Sequence, residues 1–279
     1  MAEKKKMIKA RQLDEAILDN LDDANDQKRP DRKIVAAIGR AFDILRAFRP
    51  GGGALGNSEL SAATGLPKAT VTRLTHTLTH LGYLNHVAGS GKFEPSPSIL
   101  ALGYCVLSNI RIRQLARANM QQLADHAGAT VGLASRDRLS MIYVEQCHSI
   151  NIRSLHPEIG QRVPIVTSAL GRAFLAGVSE QERHYFFGHF ARILGDEWAR
   201  VRDEIEDAIQ QIAERGFCLV DGAYHQDARA VGAPLVSPDG NSVMAMTCAG
   251  PSFQLSVNDL ETDLGPRLVH LCRTLTPLI

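Results

Sequence analysis

Several absences narrow the reading of this 279-residue sequence before any motif is considered. Its five cysteines, Cys105, Cys147, Cys218, Cys248 and Cys272, are scattered and form no C-x-x-C pair. That pattern excludes a disulfide frame and predicts reduced, mostly packed thiols in a cytoplasmic protein. There is no secretory signal and no run of about 18 apolar residues, so no membrane span is expected. A Gly-rich phosphate loop, G-x-S-x-G and H-E-x-x-H are all missing, which removes the common nucleotide-binding, esterase and zinc-protease signatures. One further absence is local. Between Glu59 and Glu94 there is no acidic residue, while Lys68, Arg73, Lys92, His76, His80 and His86 fall in that span. The whole chain carries a net charge of only +1, so this is a confined electrostatic footprint.

What is present in that span has the order of a helix-turn-helix with a β-wing. Asn57 or Ser58 is placed to cap a short helix holding Leu60 and Ala63. Gly65 supplies the turn, and Pro67 opens a second helix where its missing N–H costs nothing. Val71, Leu74, Leu78 and Leu81 then recur at 3, 4, 3 spacing as one buried stripe. The opposite face carries Lys68, Ala69, Thr70, Thr72, Arg73, His76 and Thr77, small, hydroxyl-rich and basic, as a major groove requires. Gly82 ends the helix, Tyr83-Leu84 begins a strand, and Ala88-Gly89-Ser90-Gly91 is turn chemistry before Lys92, which is placed to meet a phosphate. Ile38, Ala41, Phe42, Leu45 and Phe48 mark a preceding helix that closes a trihelical core. The competing reading is a helical subdomain with solvated charges. The agreement of turn, stripe, wing and missing acids favours double-stranded DNA.

At this point the sequence resembles the IclR-type bacterial transcription regulators. The resemblance rests on Ile38-Gly39-Arg40-Ala41-Phe42-Asp43-Ile44-Leu45, Gly65 to Leu74, and Leu81-Gly82-Tyr83. It continues through Gly160-Gln161-Arg162-Val163-Pro164 and Thr167 to Ala176, then Gly232-Ala233-Pro234 and Gly250-Pro251. It spans roughly residues 34 to 279 and implies an α+β chain: an N-terminal winged helix-turn-helix domain joined by a linker helix to a GAF-like α/β effector-binding domain. The expected limits are a charged, mostly disordered arm over 1–33, the DNA-binding domain over 34–97, the linker helix over 98–113 and the effector domain over 114–279. In the arm, Leu13 to Leu21 is a possible helix, and contact of Lys28, Arg29, Arg32 and Lys33 with DNA stays open. The family also implies homodimers or dimers of dimers.

Beyond Pro95 the pattern predicts helices over Ser98–Ser108 and Ile112–His126, the latter with Ile112, Leu115, Ala116, Met120 and Leu123 on one face. Short apolar runs follow over Thr130–Ser135, Leu139–Glu145 and Ile150–Leu155. Further helices are expected over Ser168–Gly177, after the capping box Ser179 to Glu182, through Ile205, Ile209 and Ile212, and from about Asp259 to Leu275. Strands Phe217–Val220, Ala230–Val236 and Val243–Thr247 complete a mixed, largely antiparallel sheet. Catalysis is poorly supported. His76 and His80 lack further metal-ligand neighbours, Ser168 reads as a helix cap rather than a nucleophile, and Asp221 and His225 read as an exposed loop. No catalytic residue, metal or cofactor is expected.

A small organic acid is the expected effector. The helix opening at Ser168 presents free N–H groups and the positive end of its dipole, which suits a carboxylate. By the resemblance, the backbone of Ala169 and Leu170 faces the effector, with Ile152, Leu155, Val220, Ala228, Ala230, Thr247 and Ala249 around it. The family's acidic loop is reduced here to Val220-Asp221-Gly222-Ala223-Tyr224-His225-Gln226-Asp227. Apolar residues at several matched positions favour an aromatic acid over a small dicarboxylate. The expected function is a ligand-responsive DNA-binding regulator of catabolic genes. The alternatives are a sensor protein whose helix-turn-helix contacts protein, and a small-molecule enzyme.

Overall fold

Two chain segments, 35–150 and 157–279, are described by the computed structural model of the protein. The expectations for the arm over 1–33, for Ile152 and Leu155, and for most of the strand from Ile150 lie outside the described residues. The chain divides into two compact units, one ending at Asn109 and the other comprising Ile110–Ile279.

The first unit contains α1 (Ala36–Arg46), β1 (Leu55–Gly56), α2 (Asn57–Thr64), α3 (Lys68–His80), β2 (Leu84–Val87), β3 (Lys92–Pro95) and α4 (Ser98–Asn109). The strands form an antiparallel sheet in the order β1-β3-β2. Ile44, Leu60, Val71, Leu78 and Leu84 make its core, flanked by Ala41, Leu45, Leu74 and Phe48. Ile38 and Phe42 do not close that core as expected. They are 57% and 49% exposed, because the i, i+3, i+4, i+7 stripe of α1 runs through Ala41, Ile44, Leu45 and Phe48. Leu81 also leaves the expected stripe, lying exposed beyond the end of α3. Thr75 takes a buried place on that face, its hydroxyl donating to the Val71 carbonyl at 3.0 Å. The end of α3 is a Schellman motif. Tyr83 N–H reaches Leu78 O at 2.8 Å and Gly82 N–H reaches Thr79 O at 3.0 Å, with Gly82 at φ +79°. Helix α4 is apolar throughout yet has no buried residue in the chain; Leu100, Leu102, Tyr104 and Val106 are all exposed.

The linker helix expected through Arg113 ends at Asn109, because Ile110 adopts φ −82°, ψ 83°. In the second unit α5 (Arg111–Ala127) buries Ile112, Ala116, Met120, Leu123 and Ala124. Leu115, expected on that face, is half exposed. Strands β4 (Thr130–Asp137), β5 (Ser140–His148), β6 (Arg162–Pro164), β7 (Cys218–Asp221), β8 (Ala228–Val236) and β9 (Val243–Pro251) follow. They form one sheet in the order β6-β5-β4-β9-β8-β7, every neighbouring pair antiparallel.

The pleat sorts side chains onto two faces. Cys147, Val131, Cys248, Val231 and Leu219 are aligned in one row, on the side where Cys147 Sγ approaches Arg117 O of α5. Gly132, Thr247, Gly232 and Cys218 form the alternate row and face α6 (Ala169–Gly177). Helices α7 (Glu180–Leu194) and α8 (Trp198–Arg215) build the core outward through Phe186, Phe190, Val201 and Ile205. The last helical stretch is less regular than expected: Leu260–Leu264 is a π segment leading into α9 (Gly265–Leu275). Four thiols, those of Cys147, Cys218, Cys248 and Cys272, are buried, and Cys105 on α4 is exposed. Burial pushes Cys218 up to about 11 and Cys248 and Cys272 up to about 12.

Candidate nucleic-acid interface and ligand trough

Helix α3 is held from behind by α2. The Asn57 side chain, expected as a cap, instead donates to Thr72 Oγ1 at 3.2 Å and accepts from Thr75 Oγ1 at 3.3 Å. The cap residue of α2 is Gly56, whose N–H donates to Glu59 Oε2 at 2.6 Å. Thr72 also donates to Lys68 O at 2.9 Å, so it braces the helix as well as lying on its outer side. Lys68, Ala69, Arg73, His76 and Thr77 are exposed on that side, and Thr70 is half-buried. Thr77 returns its hydroxyl proton to Arg73 O at 2.9 Å. In the wing, Lys92 Nζ lies 3.1 Å from Glu59 Oε1, the residue that bounds the acid-free span. The Gly56 amide, and after it Lys92, holds the Glu59 carboxyl below the usual carboxylate range. The helix face is thus positively charged through Lys68 and Arg73, whereas the wing's Lys92 already has Glu59 as a partner and is followed by Glu94 on β3.

In the second unit the register brings the expected ligand residues together. Val220, Ala230, Ala249 and Thr130 stand opposite one another on β7, β8, β9 and β4. Ala228, Ala230 and Ala249 are only half-buried, so this end of the sheet's strands carries a floor of small side chains that is partly open. Helix α6 explains where that opening ends. A Cβ on Gly232 would lie 2.3 Å from Ala169 O, and one on Gly177 would lie 3.2 Å from Pro234 Cβ and 3.1 Å from Val236 Cγ2. Helix α6 therefore runs alongside β8 in the same direction, and its amino end opens toward Ala230 and Ala228. Ser168 Oγ accepts from Gly171 N–H at 3.1 Å, which leaves the Ala169 and Leu170 amides as the unpaired first-turn donors. A carboxylate over Ala230 would meet those amides and the positive end of the helix dipole together. Thr247 offers less than expected: it is buried and its hydroxyl donates to Val231 O at 2.9 Å.

Two tyrosines belong to this trough and were not anticipated. The Tyr143 ring lies over Gly132, where a Cβ would come within 2.4 Å of its Cε1 and 3.4 Å of Thr247 Cγ2. Burial, and secondarily the nearby Tyr224, push the Tyr143 phenol well above the ordinary tyrosine range. Tyr224 sits in the β7–β8 loop, packed on the same core cluster. Their signal in the sequence was slight, since an aromatic residue in an apolar strand reads as core. Of Asp221 and His225, set aside as catalytic candidates, Asp221 pairs with Arg229, its Oδ2 lying 3.0 Å from Arg229 Nε. A separate concavity of about 310 Å³, lined by Arg215, Phe217, Glu261, Val269 and Arg273 among others, lies elsewhere on the unit. Its Arg215 is already bound to Glu261 and Gln211. No group of three or more potential metal-ligating side chains occurs among the described residues.

The sequence and the fold both have relatives. A family model described as IclR helix-turn-helix domain matches residues 37–88, and one described as bacterial transcriptional regulator IclR C-terminal matches residues 104–274. The chain is 32% identical to the HTH-type transcriptional regulator TsaQ1/TsaQ2 of Comamonas testosteroni, over 85% of this chain and 86% of that protein. The crystal structure of an IclR family transcriptional regulator from Brucella abortus is 40% identical, with a TM-score of 0.82, covering 90% of this chain and 95% of its own. An IclR homolog from Microbacterium hydrocarbonoxydans, complexed with 4-hydroxybenzoate, shares the fold at 17% identity and a TM-score of 0.68, covering 86% and 97% of the two chains.

Proposed function

Because the chain belongs to the IclR family, and so is a helix-turn-helix transcriptional regulator rather than an enzyme, we infer that it answers to a small aromatic carboxylic acid. The observation that carries this reading is the amino end of α6 opening over the small-residue floor of Ala228, Ala230 and Ala249. The carboxylate takes the Ala169 and Leu170 amides, and the ring lies on alanine and Val220. The apolar floor supports a ring better than a second carboxylate, which would be desolvated there without a counter-charge. The Microbacterium homolog complexed with 4-hydroxybenzoate supports the same ligand class. On DNA, Lys68, Ala69, Thr70, Thr72, Arg73, His76 and Thr77 face the major groove and Lys92 a phosphate. Two copies, or two pairs of copies, act together on operators of catabolic genes.

Isothermal titration calorimetry with benzoate, 4-hydroxybenzoate and pyruvate tests the ligand class. The aromatic acids should bind the intact protein and fail to bind Ala230→Trp, whose indole would fill the trough. Binding of pyruvate alone, or undiminished binding by the Trp variant, overturns the assignment.

A further inference from the structure

The strand that carries Tyr143 into the trough also carries a buried carboxylate out of its other side. Along β5 the register pairs Leu133 with Glu145 but Ala134 with Tyr143, so Val144 is an extra residue in the ladder. In a regular strand, positions 143 and 145 would share a face; the bulge puts them on opposite faces. Tyr143 lies over Gly132 on the α6 side. Glu145 faces α5, 2% exposed, with Arg113 Nε 2.8 Å from Oε2 and Arg117 Nη1 2.7 Å from Oε1. Arg113 is the third residue of α5, which begins immediately after the boundary between the two units. A buried carboxylate held by two arginines is costly to disturb, so its position and that of the first turns of α5 are bound together. No side-chain hydrogen bond to the Tyr143 hydroxyl is formed among the described residues.

We propose that Tyr143 donates a hydrogen bond to the bound acid, and that the Val144 bulge passes the resulting adjustment of β5 to Glu145 and so to the first turns of α5. The polar group that Tyr143 meets lies at the end of the ligand away from the carboxylate. A para-hydroxyl on the ring satisfies that requirement, and plain benzoate does not. Glu145 and Arg117 are positioning residues: they touch neither ligand nor DNA. The proposal rests on the effector reading above.

The test uses the full chain with 4-hydroxybenzoate and benzoate. Calorimetry of Tyr143→Phe should show about a five- to tenfold loss of affinity for 4-hydroxybenzoate and little change for benzoate. Hydrogen exchange should show that 4-hydroxybenzoate alters protection of the amides over 111–118 in the unaltered protein. In Arg117→Ala, where the removed side chain is largely exposed and Glu145 keeps Arg113, the ligand should bind as before but change the protection of those amides less, since one of the two links to α5 is gone. Equal loss for both acids in Tyr143→Phe, or an undiminished exchange response in Arg117→Ala, overturns the proposal and leaves the effector reading standing. Failure of both acids to bind the unaltered protein overturns that reading and the proposal with it.

Discussion

Arg73 and Lys92 differ in what surrounds them. Arg73 projects from α3 into solvent, whereas Lys92 is shared with Glu59. If Arg73 reads a base through two hydrogen bonds, Arg73→Ala should cost about 1–3 kcal/mol and relax specificity at one position per half-site. Competition among operator variants measures that directly. Unchanged affinity in a folded variant would remove α3 from recognition. Lys92 must exchange Glu59 for a phosphate on binding. Glu59→Gln should therefore steepen the dependence of log affinity on log salt by up to about one unit. The same pair has a pH signature. Since Glu59 titrates below its ordinary value, the pair's contribution is complete above that ordinary value and is lost as pH falls through the lowered one. A carboxyl NMR titration of Glu59 with its midpoint at or above the usual glutamate value would contradict this. Both residues were visible in the sequence as charges in an acid-free span. Their difference was not, because Glu59 bounds that span in the sequence yet folds back onto its far end.

At the scale of elements, Gly171 shows how closely α6 is pressed onto the segment before it. A Cβ there would fall 2.1 Å from the Ile165 carbonyl oxygen, so backbone would have to move. Gly171→Ala should destabilise the protein by about 1–3 kcal/mol, read as a lower midpoint in urea without a change in slope. The existence of α3, its Gly65 turn and its Gly82 stop was legible because those signals are local. So was the cap at Ser168, which takes the Gly171 amide as expected. Less legible was which face of α1 is buried. Val35, Ile38 and Phe42 are as apolar as Ile44, and only the packing of α2 and α3 against the helix decides between the faces. The bulge at Val144 left no mark at all, since an added residue in a ladder is a property of two strands together. Tyr143 was missed because an aromatic residue in an apolar strand reads as core, and the bulge that sets it opposite Glu145 cannot be seen in one strand alone.

For the molecule as a whole, the exposed apolar residues are concentrated where the effector trough is not. Val35 just before α1, Ile38 and Phe42 on it, and Leu100, Leu102, Tyr104 and Val106 on α4 are exposed in the single chain. The four on α4 exceed what scattered surface residues explain, and self-association is the expected use. Leu100→Glu with Val106→Glu should convert a dimer to a monomer by light scattering and weaken binding to a paired operator. Half-sites about 34–36 Å apart would then be the preferred spacing of the unaltered protein. A monomer both free and on DNA would end this account. The burial of the other four thiols gives the same helix an experimental handle. Held protonated and out of solvent, they should ignore a maleimide that reacts with Cys105. The native chain would then accept one label, on α4, with no cysteine having to be removed first. If two copies meet along α4, labelling should slow as concentration rises. A nitroxide on each Cys105 would then act as a ruler between the two chains, read with and without the acid.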